Sequence, residues 1–384
     1  MFREQNLLIV GASARAAAYS ALRAGLAPVC ADLFADRDLQ AVCPVQQVAS
    51  RNYPWGLEEL IESDVLGPWM YTGALENRRE FVSHLAKIRP LWGNAAQTLR
   101  CVRDPFWFAN LLSQVDLPCP EVRVSDANAE PDKGWLVKPL HGAGGRGIGF
   151  SDEDTKGIGD GVFLQEFISG SPCAAVFVGM RDAAILLGVT EQLIGQPRLN
   201  AAPFHYCGSI GPLSLAPQGQ AILERIGNAL ATTAGIKGLF GIDFIMRDGT
   251  PWPVEVNPRY TASVEVLEYA LGIKALDWHR RAFVRDGESD DIAGPPRHGT
   301  FVGKAILFAK KDVTAPADGP WRLEKGQPFC PDRMPAFADI PQANQLINKG
   351  RPILTFFAEG DSRARCLEIL KETAADLDRR LFGG

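Results

Sequence analysis

The sequence predicts a protein of mixed fold class, α/β at its N-terminal end and α+β further along. The chain opens with an apolar strand, an Ala-rich helix and a second apolar strand, which is typical of a βαβ unit. Its middle part contains segments that alternate between apolar and polar residues, separated by Gly or Asp-Gly, which is typical of antiparallel strands. With 384 residues, the chain is long enough for two or three compact units.

The composition is that of an ordinary globular protein. Apolar residues make up 46% of the chain and charged residues 22%, and the net charge is -5, so neither nucleic acid nor an anionic membrane is expected as a partner. The N-terminal apolar run is too short for a signal peptide, and no later run approaches the length of a membrane span. The eight cysteines form no C-x-x-C pair, which favours reduced thiols in the cytoplasm.

The βαβ unit at the N-terminus predicts a Rossmann-like domain. Residues 7–10 form the first strand, residues 11–15 turn into an Ala-rich helix that ends near Gly25, and residues 27–33 form the second strand. A dinucleotide site needs several glycines in the first turn, and only Gly11 stands there. We therefore expect a scaffold domain rather than an NAD site, and an NAD-dependent oxidoreductase is a disfavoured alternative.

A lysine and a glycine-rich stretch follow one another after the next boundary. Asp104 and Pro105 predict the start of a helix that ends at Gln114. Further on, a strand over residues 135–139 contains Lys138, and the stretch that follows carries Gly142, Gly144, Gly145, Gly147 and Gly149. Glycines allow positive φ and close backbone approach, so their N–H groups can surround an anion while the lysine adds a positive charge. The order differs from a Walker A loop and predicts a strand–loop–strand flap over phosphates; the alternative is a flexible surface loop.

A hairpin over residues 238–259 carries the oxygen ligands of a candidate metal site. Asp243, Glu255 and Asn257 interrupt its apolar alternation, and Asp248-Gly249 marks the turn. A two-residue loop would pair Asp243 with Val254 and turn Glu255 away, whereas a three-residue loop would pair Asp243 with Glu255. In the second case two carboxylates and an amide oxygen converge, which suits Mg²⁺. The alternative is an ordinary hairpin with a solvated polar face.

The order of these motifs resembles the ATP-grasp superfamily. Lys138 with its glycines comes first, then residues 165–168, then Asp243, and then residues 255–259. The resemblance covers about three quarters of the chain. It implies a Rossmann-like pre-ATP-grasp domain over residues 1–98, a two-lobed ATP-grasp domain over 99–297 with a flexible lid at about 131–180, and a small β-rich C-terminal region over 298–384.

The resemblance also implies roles for individual residues. Lys138 would contact the ATP phosphates and would be catalytic together with Arg259, which would orient the acyl phosphate or its parent carboxylate. Mg²⁺, with Mn²⁺ as an alternative, would be held by Asp243, Glu255 and Asn257. The remaining ATP-binding residues would be Arg103, Gly142, Gly144, Gly145, Arg146, Gly147, Gln165, Glu166, Phe167 and Ile168, of which the last four form the adenine hinge.

Two departures from the superfamily pattern bear on nucleotide binding. Most members have a lysine where this chain has Pro105, so Arg103 would have to supply the first phosphate contact. Many members have an acid for the ribose hydroxyls where this chain has residues 171–173, Ser-Pro-Cys, with Glu166 as a substitute. These departures motivate the alternative of a degenerate nucleotide-binding or regulatory module without turnover.

The implied activity is that of an ADP-forming carboxylate–amine ligase that works through an acyl phosphate. The finer resemblance, in residues 192–195, 206–209 and 259–263, is to carbamoyl-phosphate-synthase-like ligases, including tyramine–glutamate ligases, and to ATP-grasp proteins of tetrahydromethanopterin and methylofuran one-carbon metabolism. It implies glutamate addition to an amine-bearing cofactor precursor, with His205, Tyr206, Thr261 and Ser263 facing the acceptor. Such enzymes are often homodimers, and the sequence shows no interface.

Overall fold

The computed structural model describes residues 5–124, 134–151, 161–284, 300–321 and 329–383. The fold is mixed α/β, as expected, and combines a four-stranded parallel sheet with an eight-stranded and a four-stranded antiparallel sheet. Parts of the predicted lid, residues 131–133 and 152–160, lie outside the described residues. The predicted boundary between the ATP-grasp domain and the C-terminal region, at residues 297 and 298, also lies outside them, within 285–299. No helix within the described ranges is long and apolar enough to span a membrane.

The N-terminal part forms a Rossmann-like parallel sheet in the order β3-β2-β1-β4, which confirms the βαβ expectation. At its first turn a Cβ on Gly11 would lie 2.0 Å from the Thr72 hydroxyl oxygen. This glycine therefore serves close packing between strand ends. The elements here are β1 (Gln5–Val10), α1 (Arg15–Arg23), β2 (Leu26–Asp32), α2 (Arg37–Gln40), β3 (Val45–Gln47), α3 (Glu58–Glu62), β4 (Trp69–Tyr71), α4 (Arg79–Leu85), α5 (Ala96–Val102) and α6 (Pro105–Gln114).

A small antiparallel sheet follows, in the order β5-β8-β6-β7. The predicted strand–loop–strand arrangement around the glycines is confirmed, because β6 pairs with β7 on the far side of the loop. The predicted helix start is confirmed too, since the Asp104 carboxylate accepts from the backbone N–H groups of Phe106 and Trp107. The strands are β5 (Val122–Val124), β6 (Trp135–Pro139), β7 (Gly149–Phe150) and β8 (Val162–Glu166).

The central sheet has eight antiparallel strands in the order β13-β12-β9-β10-β11-β14-β18-β16. The C-terminal strands β14, β18 and β16 therefore continue the sheet beyond β11. The strands β15 and β17 form a separate pair. The first elements of this region are β9 (Ser171–Gly179), β10 (Ala184–Ile194), β11 (Tyr206–Gly211), α7 (Pro217–Ala234), β12 (Gly238–Arg247), β13 (Thr250–Asn257), α8 (Ala262–Leu271) and α9 (Ala275–Val284). Those after residue 300 are β14 (Phe301–Phe308), β15 (Val313–Thr314), β16 (Phe337–Ala338), β17 (Leu346–Ile347), β18 (Pro352–Gly360) and α10 (Arg363–Phe382).

The hairpin β12–β13 pairs Asp243 directly with Glu255, but neither loop alternative explains how. The loop has two residues, since Arg247 pairs with Thr250, and both Asp248 and Gly249 have positive φ, of 51° and 77°. Of the two loop lengths that the sequence left open, the structure therefore has the shorter one. The register shifts between Asp243 and Phe244 instead, where Val254 is an extra residue in β13. This β-bulge places Glu255 on the same face of the hairpin as Asp243, whereas a two-residue loop alone would have placed it on the opposite face.

Buried ion pairs join the N-terminal sheet, α8 and the C-terminal strands. The Arg15 side chain is fully buried and donates to both carboxylate oxygens of Glu265 and to the Asp339 carboxylate. Lys304 on β14 donates to Glu265 at 2.7 Å. Each of these charges has a charged partner, whose attraction offsets the desolvation cost of burying it.

Candidate active site

A cavity of about 370 Å³ lies between the small sheet and the central sheet. Its walls contain most of the residues that the sequence singles out. These are Lys138, Gly144, Gly145, Gln165, Glu166, Phe167, Ile168, Tyr206, Asp243, Glu255, Asn257, Arg259, Thr261 and Ser263. Arg103, Gly142 and Arg146 line an adjoining pocket that shares Lys138 and Glu255 with this cavity. Strands from two sheets thus bring together groups that lie far apart in sequence.

Lys138 is held at the floor of the cavity by the bulge in β13. Its Nζ atom donates to the Gln165 side-chain oxygen at 3.0 Å and to the Val254 carbonyl at 3.4 Å. Gln165 donates to the same carbonyl at 3.3 Å. Burial lowers the pKa of Lys138, although the nearby charges of Glu255 and Asp243 act to raise it. The lysine is therefore positioned and poorly solvated, as a group that binds phosphate should be.

Arg103 reaches the same floor from the end of α5. Its guanidinium donates to Glu255 at 2.5 Å, to the Val256 carbonyl at 3.1 Å and to the Gly142 carbonyl at 3.3 Å. Burial alone would lower the pKa of Arg103, but the charge of Glu255 raises it. The arginine thus contacts both the glycine-rich loop and β13, and its contact with a phosphate stays a prediction.

The two carboxylates of the hairpin lie together and are unequal. Asn257 and Gln192 each donate to Asp243 at 3.0 Å, one to each carboxylate oxygen. Burial, and then the charge of Glu255, raises the pKa of Asp243 to about 7. Burial also acts to raise the pKa of Glu255, but Arg103 and Lys138 lower it. Two half-buried acids side by side, one of them with a raised pKa, form a site that a divalent cation would neutralise.

The glycine-rich loop folds over the cavity and touches the central sheet. Gly144, Gly145 and Gly147 have positive φ, of 64°, 80° and 76°. The backbone N–H of Tyr206 donates to the Gly144 carbonyl at 3.3 Å, and a Cβ on Gly145 would lie 1.9 Å from the Phe204 carbonyl oxygen. Only glycine fits this approach. The neighbouring Arg146 side chain is exposed.

The predicted adenine hinge begins in the last two residues of β8, which ends at Glu166. Phe167 and Ile168 follow as irregular backbone and line the cavity with Leu136. The Glu166 carboxylate accepts from the backbone N–H of Glu121 at 3.1 Å, so part of its hydrogen-bonding capacity is used within the small sheet. Its role toward a ribose stays a prediction.

Arg259 connects the hairpin to the N-terminal sheet. Its guanidinium donates to the Glu76 carboxylate at 2.8 Å and to the Asn257 side-chain oxygen at 3.2 Å. Glu76 is 1% exposed, and its second carboxylate oxygen has no hydrogen-bond partner among the described residues. Glu76 was not foreseen, because no local motif marks a contact that spans 183 residues. Asn77, which donates to the Gly142 carbonyl at 3.0 Å, was missed for the same reason.

Three of the four expected acceptor residues lie at the cavity. Tyr206 and Ser209 share a hydrogen bond of 2.8 Å between hydroxyls, and Ser263 accepts from Thr190 at 2.9 Å. The Thr261 hydroxyl is buried without a partner among the described residues. His205 does not line the cavity; its ring lies 6.5 Å from that of Phe308, and burial, with the charge of Arg146, lowers its pKa.

Comparison with known proteins finds a family match over the part of the chain that carries most of this site. Residues 102–263 match the family described as ATP-grasp domain, so the resemblance to that superfamily is confirmed for this part of the chain. The chain is 26% identical over 250 residues to an uncharacterised protein of Methanocaldococcus jannaschii, covering 64% of this chain and 56% of that one. It is 25% identical over 301 residues to the carbamoyl phosphate synthase large chain of Rubrobacter xylanophilus, covering 72% of this chain and 28% of that one.

A solved structure shows the same fold over nearly the whole chain. The L-amino acid ligase of Bacillus licheniformis superposes with a TM-score of 0.68 at 16% identity, covering 98% of both chains. An identity this low indicates a common fold and does not transfer a substrate.

Proposed function

We propose that this protein is an ATP-dependent ligase that joins a carboxylate to an amine and forms ADP and phosphate. One observation carries the proposal: two cations and two carboxylates meet on one cavity floor beneath a glycine-rich loop. Lys138 and Arg103 supply the cations, and Asp243 and Glu255 the carboxylates. This arrangement suits the phosphates and the cation of Mg-ATP, and the ATP-grasp match over residues 102–263 supports it.

The metal would be held by Asp243, Glu255 and Asn257. The donor set fits Mg²⁺, or Mn²⁺ in its place, because the two carboxylates offer oxygen and destabilise each other's charge. The Asn257 amide would first have to turn its oxygen from Arg259 toward them. When bound, the ion would neutralise charge on the β- and γ-phosphate oxygens. Lys138 and Arg103 would then contact phosphate oxygens directly.

The chemistry follows from the weak electrophilicity of a carboxylate. Its oxygen would attack the γ-phosphorus, forming an O–P bond while the bond to the ADP oxygen breaks, which yields an acyl phosphate. The amine nitrogen would then attack the carbonyl carbon, phosphate would leave, and the nitrogen would lose a proton to give an amide. Arg259 would hold the carboxylate in place. The loop over residues 142–149 would exclude water, which otherwise hydrolyses the acyl phosphate.

We further propose glutamate as the carboxylate and an amine-bearing one-carbon cofactor precursor, such as a methylofuran intermediate, as the acceptor. Tyr206, Thr261 and Ser263 line the cavity, and we propose that they border the acceptor. The eight free cysteines suit a reducing compartment such as the cytoplasm. A degenerate binding module is not favoured, since Arg103 lies at the floor where the altered motif needs a cation.

The first experiment measures ADP and phosphate release from Mg-ATP with glutamate and a panel of amines that includes tyrosine and tyramine. We expect release that requires both glutamate and one of the amines, with the amide identified by mass spectrometry. Formation of AMP and pyrophosphate would contradict the acyl-phosphate route. Absence of nucleotide binding in calorimetry would contradict the proposal as a whole.

A further inference from the structure

Asn257 links the proposed metal site to the proposed carboxylate site. Its side-chain nitrogen donates to the Asp243 carboxylate at 3.0 Å, and its side-chain oxygen accepts from Nη2 of Arg259 at 3.2 Å. The residue is 6% exposed, so water does not readily replace either partner. Both ends of the amide are therefore in use.

The orientation of this amide follows from the chemistry of its partners. A guanidinium carries only donors, so the atom that faces Arg259 must be the oxygen. The nitrogen then faces Asp243, where a carboxylate oxygen accepts its hydrogen. The reverse orientation would set N–H groups of Asn257 and Arg259 against each other and would leave both without an acceptor.

The same orientation is incompatible with a metal role for Asn257. An amide binds a hard cation through its oxygen, and this oxygen is turned away from Asp243 toward Arg259. Asn257 can join Asp243 in holding a cation only after the amide turns over. The turn breaks the bond to Arg259 and brings the amide nitrogen to a guanidinium that has only donors.

Arg259 keeps other contacts when that bond is broken. Its Nε donates to the Glu76 carboxylate at 2.8 Å, and its Nη1 donates to the Tyr260 carbonyl at 3.1 Å. Glu76 is 1% exposed and belongs to the N-terminal part of the chain. These two bonds hold the guanidinium at the cavity, so the Nη2 hydrogen that Asn257 releases is available to a ligand there. A carboxylate is the acceptor that best matches a guanidinium.

We propose that Asn257 is a positioning residue that couples binding of the metal to binding of the carboxylate. When Asn257 turns toward the cation, Nη2 of Arg259 loses its acceptor, and a carboxylate at Arg259 replaces it. Each ligand therefore lowers the free-energy cost of binding the other, and the coupling is reciprocal. The inference rests on the proposed ligase function and adds a consequence to it. Without the acid, the metal-bound arrangement is disfavoured, which limits wasteful hydrolysis of ATP.

Calorimetric titration with Mg²⁺ measures this coupling on the whole protein. Acetate serves as a simple carboxylate probe, and titrations in equal concentrations of sodium acetate and sodium chloride are compared at about pH 8, above the pKa of Asp243. We expect Mg²⁺ to bind at least about fivefold more tightly in acetate. Binding of acetate to free Mg²⁺ would act in the opposite direction.

Asn257→Asp should remove the difference between acetate and chloride. A carboxylate in place of the amide offers oxygen to a cation and to Arg259 at the same time, so no turn is needed. Gln192→Glu is the matched control and should keep the difference. Gln192 donates to the other oxygen of Asp243, so the substitution adds the same charge beside the same carboxylate, whereas no hydrogen bond joins Gln192 to Arg259 in the described part of the chain. Circular dichroism checks that both variants are folded.

The titrations require no turnover and no identified substrate, which separates this inference from the ligase proposal. An acetate effect that depends on Asn257, together with no ADP formation from any acid and amine, would count against the ligase function and support the coupling. Three results would overturn the inference: equal Mg²⁺ affinity of the wild type in acetate and chloride, no Mg²⁺ binding by the wild type, or an unchanged acetate effect in a folded Asn257→Asp protein.

Discussion

Arg103 and Glu255 form an ion pair on the cavity floor, with 2.5 Å between the guanidinium nitrogen and the carboxylate oxygen. The two residues are 152 positions apart and join the end of α5 to β13. One is proposed to contact phosphate and the other to hold the metal. Binding of Mg-ATP should therefore rearrange this pair, and its two members should be coupled in function.

Replacement of Glu255 by glutamine should abolish most of the turnover. The amide keeps the shape of the side chain but removes the charge that would bind the cation and pair with Arg103. We expect ADP formation to fall at least about a hundredfold. Steady-state ADP release measures the effect, with Glu372→Gln on the exposed face of α10 as the control. Wild-type turnover in Glu255→Gln would rule out a metal role for this residue.

The affinity for Mg²⁺ should depend on pH below neutrality. The pKa of Asp243 is raised to about 7, so this carboxylate takes up a proton as the pH falls through 7, and the proton competes with the metal. The affinity for Mg²⁺ should be constant above pH 8. Below pH 7 it should weaken with falling pH, by at most about tenfold for each pH unit. Calorimetric titration with Mg²⁺ alone between pH 5.5 and 8.5, repeated on Asp243→Asn, should find the dependence only in the wild type.

The same raised pKa has a consequence for stability. The pKa of Asp243 is near 4 in the unfolded chain and about 7 in the folded protein. Between these two pH values the folded protein therefore binds a proton at Asp243 that the unfolded chain does not bind. This contribution therefore favours the folded state at low pH and disappears as the pH rises to 7. Urea unfolding of wild type and Asp243→Asn over this range should show a difference that changes with pH, and parallel curves would contradict the assignment.

Gly145→Ala should impair ATP binding, and Gly144→Ala should do so much less. Both glycines have positive φ, so both substitutions carry similar backbone strain. Only at Gly145 would the new methyl group meet backbone, 1.9 Å from the Phe204 carbonyl oxygen, whereas Gly144 has open space. We expect the KM for ATP to rise about tenfold in Gly145→Ala relative to Gly144→Ala. Equal effects would show that contact with Phe204 does not matter for loop closure.

Lys304→Met should destabilise the protein far more than Lys310→Met. Lys304 is buried, and with Arg15 it lowers the pKa of Glu265 to about 2 against the opposing effect of burial. Removing it leaves Glu265 with one cationic partner, and we expect a loss of about 3 kcal/mol. The exposed pair of Lys310 and Asp378 should contribute less than about 1 kcal/mol. Urea unfolding of both variants measures the difference.

Sequence reasoning predicted the candidate metal site but not the backbone geometry that forms it. Alternation along β12 and β13 and the Asp248-Gly249 turn could be read locally, because strand period and turn chemistry depend on neighbouring residues. The bulge at Val254 could not, since it is tied to tertiary contacts: the carbonyl of this residue accepts from Lys138 and Gln165 in another sheet. The pairing of Asp243 with Glu255 therefore follows from a feature outside the hairpin.

Contacts between distant parts of the chain also escaped prediction. Glu76 at Arg259 belongs to no motif and is an ordinary acidic residue in its local sequence. Its significance comes from burial, which only the packing of the N-terminal sheet against the rest of the molecule determines. Arg103 was recognised because a known pattern has a cation close to its position.

The strand β14 covers one edge of β11, and this pairing should help to prevent aggregation. If a shortened chain ended before β14, residues 208–211 of β11 would lose the strand with which they pair. Their N–H and C=O groups would then form an open edge, a surface on which other chains can add as further strands. Truncation before residue 300 should consequently yield aggregates rather than a smaller soluble enzyme.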